Sequence, residues 1–423
     1  MSLSVFDIAQ GVQGYYIKND RFNTTTLSYN FYLPLNSKTM AKNALLPYLL
    51  SSCSKNYPDY INLNIRLLEL YGADLCCSVA KCGNYQNIKI SINVINNNLS
   101  FDGTNPVNQA AELLAGLIFN PALENGGFTE FDTEREKRKT IERIQGEINN
   151  KKAFAKTRLM EEMFKDDPYG KFRYGSVEEV EQINGKNLYA AYKELLETAY
   201  IRINVIGREL PNGVFDIAKE QFANINRNPI TNLSHFVSLP ENETPNTVIE
   251  RLNITQGKLA LGFTSKEHGS VQKTAALSLF ADIFGGGPYS KLFENVREKQ
   301  SLCYYCSATT GRNKGFVMVQ SGVEEENADK ALASIMKEFA DMQNGNFDQS
   351  VIDSSKKSMV DALNGYYDSA TALDLWYSLD MEDVISPLEA VEFINRVTKE
   401  EIVAAAKGVK LHTVYKLLPK EAE

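Results

Sequence analysis

The chain contains an internal repeat that spans most of its length. The segment FTEFDTEREKRKTIERIQG from Phe128 aligns without a gap to FDQSVIDSSKKSMVDALNG from Phe347, at an offset of 219 residues. A second matching pair, EEVEQIN from Glu178 and EAVEFIN from Glu389, follows at an offset of 211 residues. Solenoid repeats recur every roughly 20 to 50 residues, so a period this long indicates a duplicated domain. The sequence therefore predicts two homologous halves.

The order of elements within each half predicts the fold class. A strand-like run, LSYNFYL in one half and LALGF in the other, precedes two helical patterns, a strand pair, a long amphipathic helix and a last strand. Strands mixed with several helices favour α+β layers. At 423 residues the chain also exceeds the roughly 250 to 300 residues at which single cores stop growing. We predict a tandem duplication of two α+β domains, at residues 1–222 and 248–423.

The stretch between the halves has the composition of a linker. Residues 223–247 contain three prolines and many asparagines, and they show no sustained hydrophobic period. We predict that they connect the two domains.

Composition and charge exclude several classes of protein. With 43% hydrophobic and 23% charged residues the chain is globular, and its net charge of -8 with scattered basic residues argues against nucleic-acid binding. No apolar run approaches the roughly 18 residues of a membrane span, and the first residues do not resemble an export signal. Six cysteines in a chain this long favour a reducing compartment. We expect a cytoplasmic protein whose partners are proteins or peptides.

The segment from Gly285 to Tyr305 predicts a loop, a helix and a strand in close succession. A glycine loop, Gly285 to Gly287, comes first, and no Gly-Lys-Ser/Thr follows it, so it is not a phosphate-binding loop. Pro288 is then placed in the first turn of a helix, where proline is tolerated. The apolar face of this helix repeats at i, i+3, i+4 and i+7, in Tyr289, Leu292, Phe293 and Val296.

Two side chains after this loop are candidates for ligand binding. Arg297 lies near the end of the helix, and Tyr304 lies in the run LCYYC, which is typical of a strand. A helix end and a strand can present one cation and one phenol together. A structural explanation is also open, since the helix dipole favours a terminal arginine and strand tyrosines are usually packed.

The same run contains a C-x-x-C motif, Cys303 and Cys306. On a strand this odd separation sends the two thiols to opposite faces. We therefore expect no metal site at these two cysteines, and we expect Cys53, Cys76, Cys77 and Cys82 to be buried or half-buried free thiols.

Motifs in both halves resemble the insulinase (pitrilysin) family of zinc peptidases, and especially its short two-domain members such as mitochondrial processing peptidase subunits. GGGPYSKLFENVREKQSLCY resembles the family's glycine-rich turn, Ser-Arg-Leu-Phe and Arg-Glu-Lys-Arg-Gly-Leu-Ala-Tyr. FDTEREKRKTIERI and DPYGKFRYGSVEEVEQI resemble the elements before the family's last N-terminal strand. The resemblance implies two facing α+β domains, and family members commonly pair such chains into a chamber for unfolded peptides.

The chain departs from the family at the zinc site. Active members bind zinc through H-x-x-E-H on a first-half helix and a downstream glutamate. The only histidines here are His235, His268 and His412, so the first 234 residues contain none. No metal site is therefore expected in this chain.

Alignment to the family assigns residues to the lost ligand positions. The helix MAKNALLPYLL places Ala44, Pro47 and Tyr48 where the two histidines and the catalytic glutamate would lie. Arg143 takes the place of the third ligand, although a shifted register would place Glu142 or Glu147 there.

Arg297 and Tyr304, in contrast, match the family. The resemblance implies that these two residues, together with the loop Gly285, Gly286 and Gly287, hold the backbone of a peptide substrate and stabilise charge at its carbonyl. Two changes nearby differ from the family, Ser301 for glycine and Lys291 for arginine. The repeat places Leu68 and Leu75 at the corresponding first-half positions.

Two hypotheses follow from the resemblance. In the first, the chain is the non-zinc subunit of a heterodimeric metallopeptidase, inactive alone, and a histidine-bearing homologue supplies the zinc and the base. In the second, it is a catalytically inactive scaffold or peptide-binding protein. Self-pairing through the same surfaces is an alternative to the heterodimer.

Overall fold

The computed structural model describes residues 3–230, 239, 244–381 and 383–420. Two larger sheets and one short hairpin account for its strands. The strands are β1 (Leu3–Ala9), β2 (Val12–Lys18), β3 (Thr24–Pro34), β4 (Asp74–Cys82), β5 (Tyr85–Ile95), β6 (Leu123–Glu124), β7 (Gly127–Phe128), β8 (Tyr200–Gly207), β9 (Asn246–Leu252), β10 (Gly257–Ser265), β11 (Tyr305–Gly311), β12 (Phe316–Val323) and β13 (Val409–Pro419).

Helices cover the sheets. The α-helices are α1 (Met40–Leu50), α2 (Tyr60–Glu69), α3 (Pro106–Phe119), α4 (Glu130–Gly146), α5 (Lys151–Met163), α6 (Val177–Glu181), α7 (Gly185–Thr198), α8 (Val214–Phe222), α9 (Val271–Gly285), α10 (Ala328–Gln343), α11 (Gln349–Gly365), α12 (Ala370–Ser378), α13 (Pro387–Arg396) and α14 (Lys399–Lys407). A π-helix spans Leu292–Glu298. No helix in the described part of the chain is both long and apolar enough to span a bilayer.

The two sheets repeat one topology. The first has the order β1-β2-β8-β3-β5-β4, and the second has the order β9-β13-β10-β12-β11 when read from its parallel edge. The strand β2 pairs parallel with β8, and β9 pairs parallel with β13, so β1 is an addition to a shared five-stranded plan. Helices α4 and α11 each span 17 residues and keep the offset of 219 found in the sequence. The predicted α+β class and tandem duplication are confirmed.

The chain folds into two compact units that are discontinuous in sequence. One unit contains Met1–Gln145, Arg173–His235 and Tyr366–Met381, and the other contains Gly146–Phe172, Phe236–Gly365 and Glu382–Glu423. Each unit therefore includes one segment from the other half of the sequence.

The exchanged segments each contain a helix that packs on a sheet. In one unit α12 packs against β3 and β8, and in the other α5 packs against β10 and β13. The contiguous domain boundaries at 222 and 248 stay a prediction. Within the predicted linker, residues 231–238 and 240–243 lie outside the described residues, and β9 begins at Asn246.

Buried polar contacts hold α12 on its sheet. The carboxylate of Asp374 is fully buried, pairs with Lys89 Nζ at 2.5 Å and accepts hydrogen bonds from Ser28 Oγ and Asn204 Nδ2 at 2.7 and 2.8 Å. The guanidinium of Arg202, also fully buried, donates to the carbonyl oxygens of Tyr377, Asp380 and Met381, at 2.7, 2.9 and 2.6 Å. These carbonyls lie at and beyond the end of α12, where the helix itself offers no donors.

Candidate functional site

Close packing requires two of the three glycines in the predicted loop, Gly285 and Gly286. A Cβ at Gly285 would lie 2.5 Å from the backbone nitrogen of Ala308 on β11, and one at Gly286 would lie 2.0 Å from Asp282 Oδ1. Both distances are far shorter than a real Cβ contact permits. Gly285 ends α9, and the turn that follows leads into the segment carrying Arg297.

The helix after this turn differs from the prediction in type and in start. Pro288 precedes the helix, because the Ser290 nitrogen donates to the Gly287 carbonyl at 2.9 Å and so places Pro288 at the second position of a β-turn, which favours proline. The helix is of the π type, and the Lys299 nitrogen donates to the Glu294 carbonyl five residues back. Its predicted apolar face contributes Leu292 and Val296, both fully buried, to the core.

The side chain of Arg297 lies at the surface in the last turn of the π-helix. It is 39% exposed, its Nη1 lies 3.6 Å from the carboxylate of Glu298, and its Cζ lies 4.6 Å from the ring centre of Phe293. Contact with an aromatic face restricts the orientation of the guanidinium. The side chain is thus a positioned surface cation.

Tyr304 lies one residue before the strand in which the sequence placed it. Strand β11 begins at Tyr305, while the Tyr304 nitrogen donates to the Gly322 carbonyl at 2.9 Å. The side chain is 57% exposed, and its hydroxyl donates to Glu324 Oε1 at 2.5 Å. This hydrogen bond and the charge of Glu324 raise the pKa of the Tyr304 phenol.

Sequence reasoning missed Glu324. This residue directly follows β12, and only the pairing of β11 with β12 brings it beside Tyr304. A strand alignment that paired Tyr305 with Gly322 would have identified it.

Substitution of Glu324 tests this contact. We expect Glu324→Gln to lower the pKa of the Tyr304 phenol toward its ordinary value of 10, because glutamine still accepts the hydrogen bond but no longer disfavours the phenolate. NMR titration of protein with ¹³C-labelled tyrosine, assigned with Tyr304→Phe, measures the change. Glu325→Gln is the control, because Glu325 pairs with Arg251 at 2.8 Å and should not affect Tyr304. An unchanged pKa in Glu324→Gln would contradict the contact.

The residues that the family resemblance assigns to the lost zinc-ligand positions include two members of an aromatic and cationic cluster. Ala44 and Pro47 are buried in α1, and the Tyr48 ring centre lies 4.0 Å from the guanidinium carbon of Arg143 on α4. The Tyr48 and Tyr174 hydroxyls are hydrogen-bonded at 2.9 Å, and burial raises the pKa of Tyr48. The structure therefore brings Tyr48 and Arg143 together, with Tyr174 as a third member that the sequence did not indicate.

These side chains do not fit zinc. They offer no imidazole or carboxylate, and a guanidinium 4.0 Å from the ring of Tyr48 adds a positive charge. The alternative Glu142 lies 4.0 Å from Arg138 on an exposed face, and Glu147 accepts a hydrogen bond from Thr157 at 2.5 Å. Among the described residues, no group of three or more His, Cys, Asp or Glu side chains could hold a metal ion.

The expectation that Cys303 and Cys306 point to opposite faces is wrong. Cys303 lies outside the strand, which begins at Tyr305, and follows a turn in which Ser301 has a φ of 52°. Strict alternation of side chains applies only within a strand. Both side chains are nearly buried and belong to the same hydrophobic core cluster.

Comparisons with known proteins connect this architecture to one family. Residues 182–359 match the family model described as "Peptidase M16 inactive domain". The chain is 31% identical to the "Probable inactive metalloprotease YmfF" of Bacillus subtilis, over 96% of this chain and 95% of that protein. A conserved protein from Enterococcus faecalis has a similar structure, with a TM-score of 0.90, 27% identity and full coverage of both chains.

A more distant structure shares the same fold. The peptidase M16 inactive domain from Pseudomonas fluorescens superposes with a TM-score of 0.78 at 18% identity, and the match covers 100% of this chain and 99% of that chain. The similarity to the Bacillus protein over nearly the whole of both chains decides the assignment. The chain belongs to the M16, or insulinase, peptidase family, as one of its inactive members.

Proposed function

We propose that this chain is the non-zinc subunit of a two-chain M16 metallopeptidase that processes peptides. A histidine-bearing M16 homologue supplies the zinc and the general base, and this chain contributes the Arg297 and Tyr304 side chains. One observation carries the proposal. Arg297 and Tyr304 remain at the surface, with exposed fractions of 39% for the Arg297 side chain and 57% for Tyr304, although the zinc ligands are absent.

The chemistry of the two side chains suits an extended peptide. Arginine is a permanent cation with several N–H donors, and a phenol donates to a carbonyl oxygen as negative charge develops there. The glycines at 285, 286 and 287 act through the backbone, because they set the turn that precedes the π-helix bearing Arg297. We thus assign peptide binding to one continuous segment, from Gly285 to Tyr304.

We place the protein in the cytoplasm. Six cysteines in a chain of 423 residues do not make a disulfide scaffold, and a reducing compartment suits such a chain.

A second function, that of a catalytically inactive scaffold or peptide-binding protein, is favoured by the contact between Tyr304 and Glu324. The phenol that would stabilise a substrate oxyanion already donates to a carboxylate at 2.5 Å. For catalysis this hydrogen bond must break or be shared. A scaffold has no such requirement.

Co-expression with an H-x-x-E-H homologue from the same genome distinguishes the two functions. We expect the two chains to copurify with one zinc ion per pair and to cleave an unfolded fluorogenic peptide, while this chain alone shows no activity. Light scattering of this chain alone measures self-pairing. A homologue that neither copurifies nor gains activity, or a native complex without a peptidase, would support the scaffold instead.

A further inference from the structure

Two lysine side chains approach the ring of Tyr305, the residue that directly follows Tyr304. Tyr305 begins β11, and its ring lies over Gly322 on β12, where an added Cβ would lie 2.5 Å from Tyr305 Cε1. Gly322 also pairs with Lys258 on β10, so Tyr305 and Lys258 lie on the same face of the sheet. The Nζ atoms of Lys152 and Lys258 lie 4.6 and 5.9 Å from the ring centre. The three side chains form one cluster within one unit of the fold.

Lys258 is a nearly buried cation. The residue is 9% exposed, and its ammonium group donates to Gln256 Oε1. No carboxylate of the described residues forms an ion pair with this ammonium group or with that of Lys152. Buried charges are normally paired, and an ammonium group carries three N–H donors. Lys258 therefore has both charge and donors to offer to an anion.

The hydroxyl of Tyr305 is the second unsatisfied group of the cluster. It is buried and has no hydrogen-bond partner among the described residues. Burial raises the pKa of this phenol to about 12, so the hydroxyl keeps its proton at neutral pH and can donate it. Buried hydroxyls are normally hydrogen-bonded, and an exception points to a ligand or an ordered water. The cluster thus combines two cations with a phenol donor.

We propose that Lys152, Lys258 and Tyr305 bind a carboxylate of the peptide substrate, from an aspartate or glutamate side chain or from the C-terminus. The inference rests on the proposed peptide-binding function and deepens it, because it names a class of substrate. A carboxylate carries a charge opposite to that of the lysines, and its two oxygens can accept hydrogen bonds from several donors at once.

The cluster lies beside the segment to which we assign peptide binding. Tyr304, the last residue of that segment, precedes Tyr305 in the chain. The nearby carboxylate of Glu324 acts on Lys258 through its charge, but its Oε1 accepts the hydrogen bond from the Tyr304 hydroxyl. Lys152 is exposed at the start of α5 and can meet a ligand from solvent. A peptide held by Tyr304 can therefore place a neighbouring carboxylate at the cluster.

Fluorescence polarisation with the full chain and three labelled peptides tests the proposal. The peptides share one unfolded sequence without other acidic residues and carry the same N-terminal dye. One has an internal glutamate and an amidated C-terminus, the second has glutamine and an amidated C-terminus, and the third has glutamine and a free C-terminus. We expect at least one carboxylate peptide to bind about ten-fold more tightly than the neutral peptide, the effect of one charge-assisted hydrogen bond. The first and third peptides distinguish a side-chain from a C-terminal carboxylate.

Three lysine variants make the result specific. Lys258→Met should abolish the preference for a carboxylate, and Lys152→Met should weaken it. Lys357→Met removes an exposed lysine of α11 and should leave the preference unchanged. Lys152→Met keeps the test decisive if Lys258→Met fails to fold, because Lys152 is exposed. Equal binding of all three peptides, or a preference that persists in both Lys258→Met and Lys152→Met, would overturn the proposal.

A smaller probe separates this site from the peptide function. In protein with ¹³C-labelled tyrosine, assigned with Tyr305→Phe, we expect N-acetylglutamate α-amide to shift the Tyr305 signal and N-acetylglutamine α-amide to leave it unchanged at equal ionic strength. If Tyr305 responds but no peptide binds, the carboxylate site stands and the proposed peptide function is wrong. If the peptides bind equally well and Tyr305 does not respond, peptide binding stands and the carboxylate site is wrong.

Discussion

Replacing Arg297 with alanine is expected to lower the kcat/KM of the co-expressed peptidase pair about 100-fold, the effect typical of one lost donor at a developing oxyanion. The side chain is exposed and contacts Phe293 and Glu298, so its removal should cost little stability. The loss should therefore appear in peptide cleavage and leave copurification with the zinc-bearing homologue intact. Steady-state kinetics with an unfolded fluorogenic peptide measure it.

Two variants make this result specific. Tyr304→Phe removes only the hydroxyl, and we expect a loss of similar size, on the order of 100-fold, if the phenol leaves Glu324 to bind the substrate. Arg396→Ala removes another exposed arginine, with a side chain 72% exposed and paired with Glu392, and should leave kcat/KM unchanged. If the pair of chains is active and neither Arg297→Ala nor Tyr304→Phe weakens it, the shared active site is wrong and the scaffold function replaces it.

The sequence predicted the fold through its internal repeat. The repeat predicted the tandem duplication, and the order of strand-like and helical patterns within each half predicted the α+β class. The exchange of α5 and α12 between the units could not be predicted in this way. Amphipathic patterns show that a helix has an apolar face, but they do not show which sheet that face covers.

Local geometry at the site was less predictable. Residue spacing identified an apolar helical face at Leu292 and Val296, but it could not distinguish a π-helix from an α-helix. The assumption that the strand already included Cys303 produced the error about the two thiols. A single residue with positive φ, Ser301, ends the helical segment and changes the direction of the chain there. Such a conformation is uncommon for a residue other than glycine, and the family's usual glycine at this position was the available signal.

Contacts between distant residues were beyond sequence reasoning. The contact of Tyr304 with Glu324 depends on strand register, and the contact of Tyr48 with Tyr174 joins residues 126 positions apart. Both contacts change the interpretation of the site. The first engages the phenol that the family resemblance assigns to substrate binding, and the second joins aromatic side chains at a position that the resemblance assigns to a zinc ligand.

The exchanged helix α12 gives the second large expected effect, on stability. Asp374→Ala should lower the free energy of unfolding of its unit by about 3 to 5 kcal/mol, because Lys89, only 8% exposed, would remain as an unpaired buried cation. Ser28 and Asn204 would also lose their acceptor. Trp376, the only tryptophan of the chain, lies within α12 and reports undocking of this helix directly in a urea titration followed by fluorescence.

A double substitution separates the ion pair from the packing of the helix. Asp374→Leu with Lys89→Met removes both charges and keeps apolar volume, and we expect it to be more stable than Asp374→Ala but less stable than the wild type, because Ser28 and Asn204 still lose their acceptor. Asp353→Ala is the control. Asp353 lies in α11, the helix that precedes α12 in the sequence, and its exposed side chain accepts a hydrogen bond from Gln349. If Asp374→Ala unfolds at the same urea concentration as Asp353→Ala, the buried ion pair does not hold α12. In that case the contacts of Arg202 with the carbonyls at the end of α12 hold the helix on its sheet. A double-mutant cycle with Lys89→Met measures the coupling between the two charges.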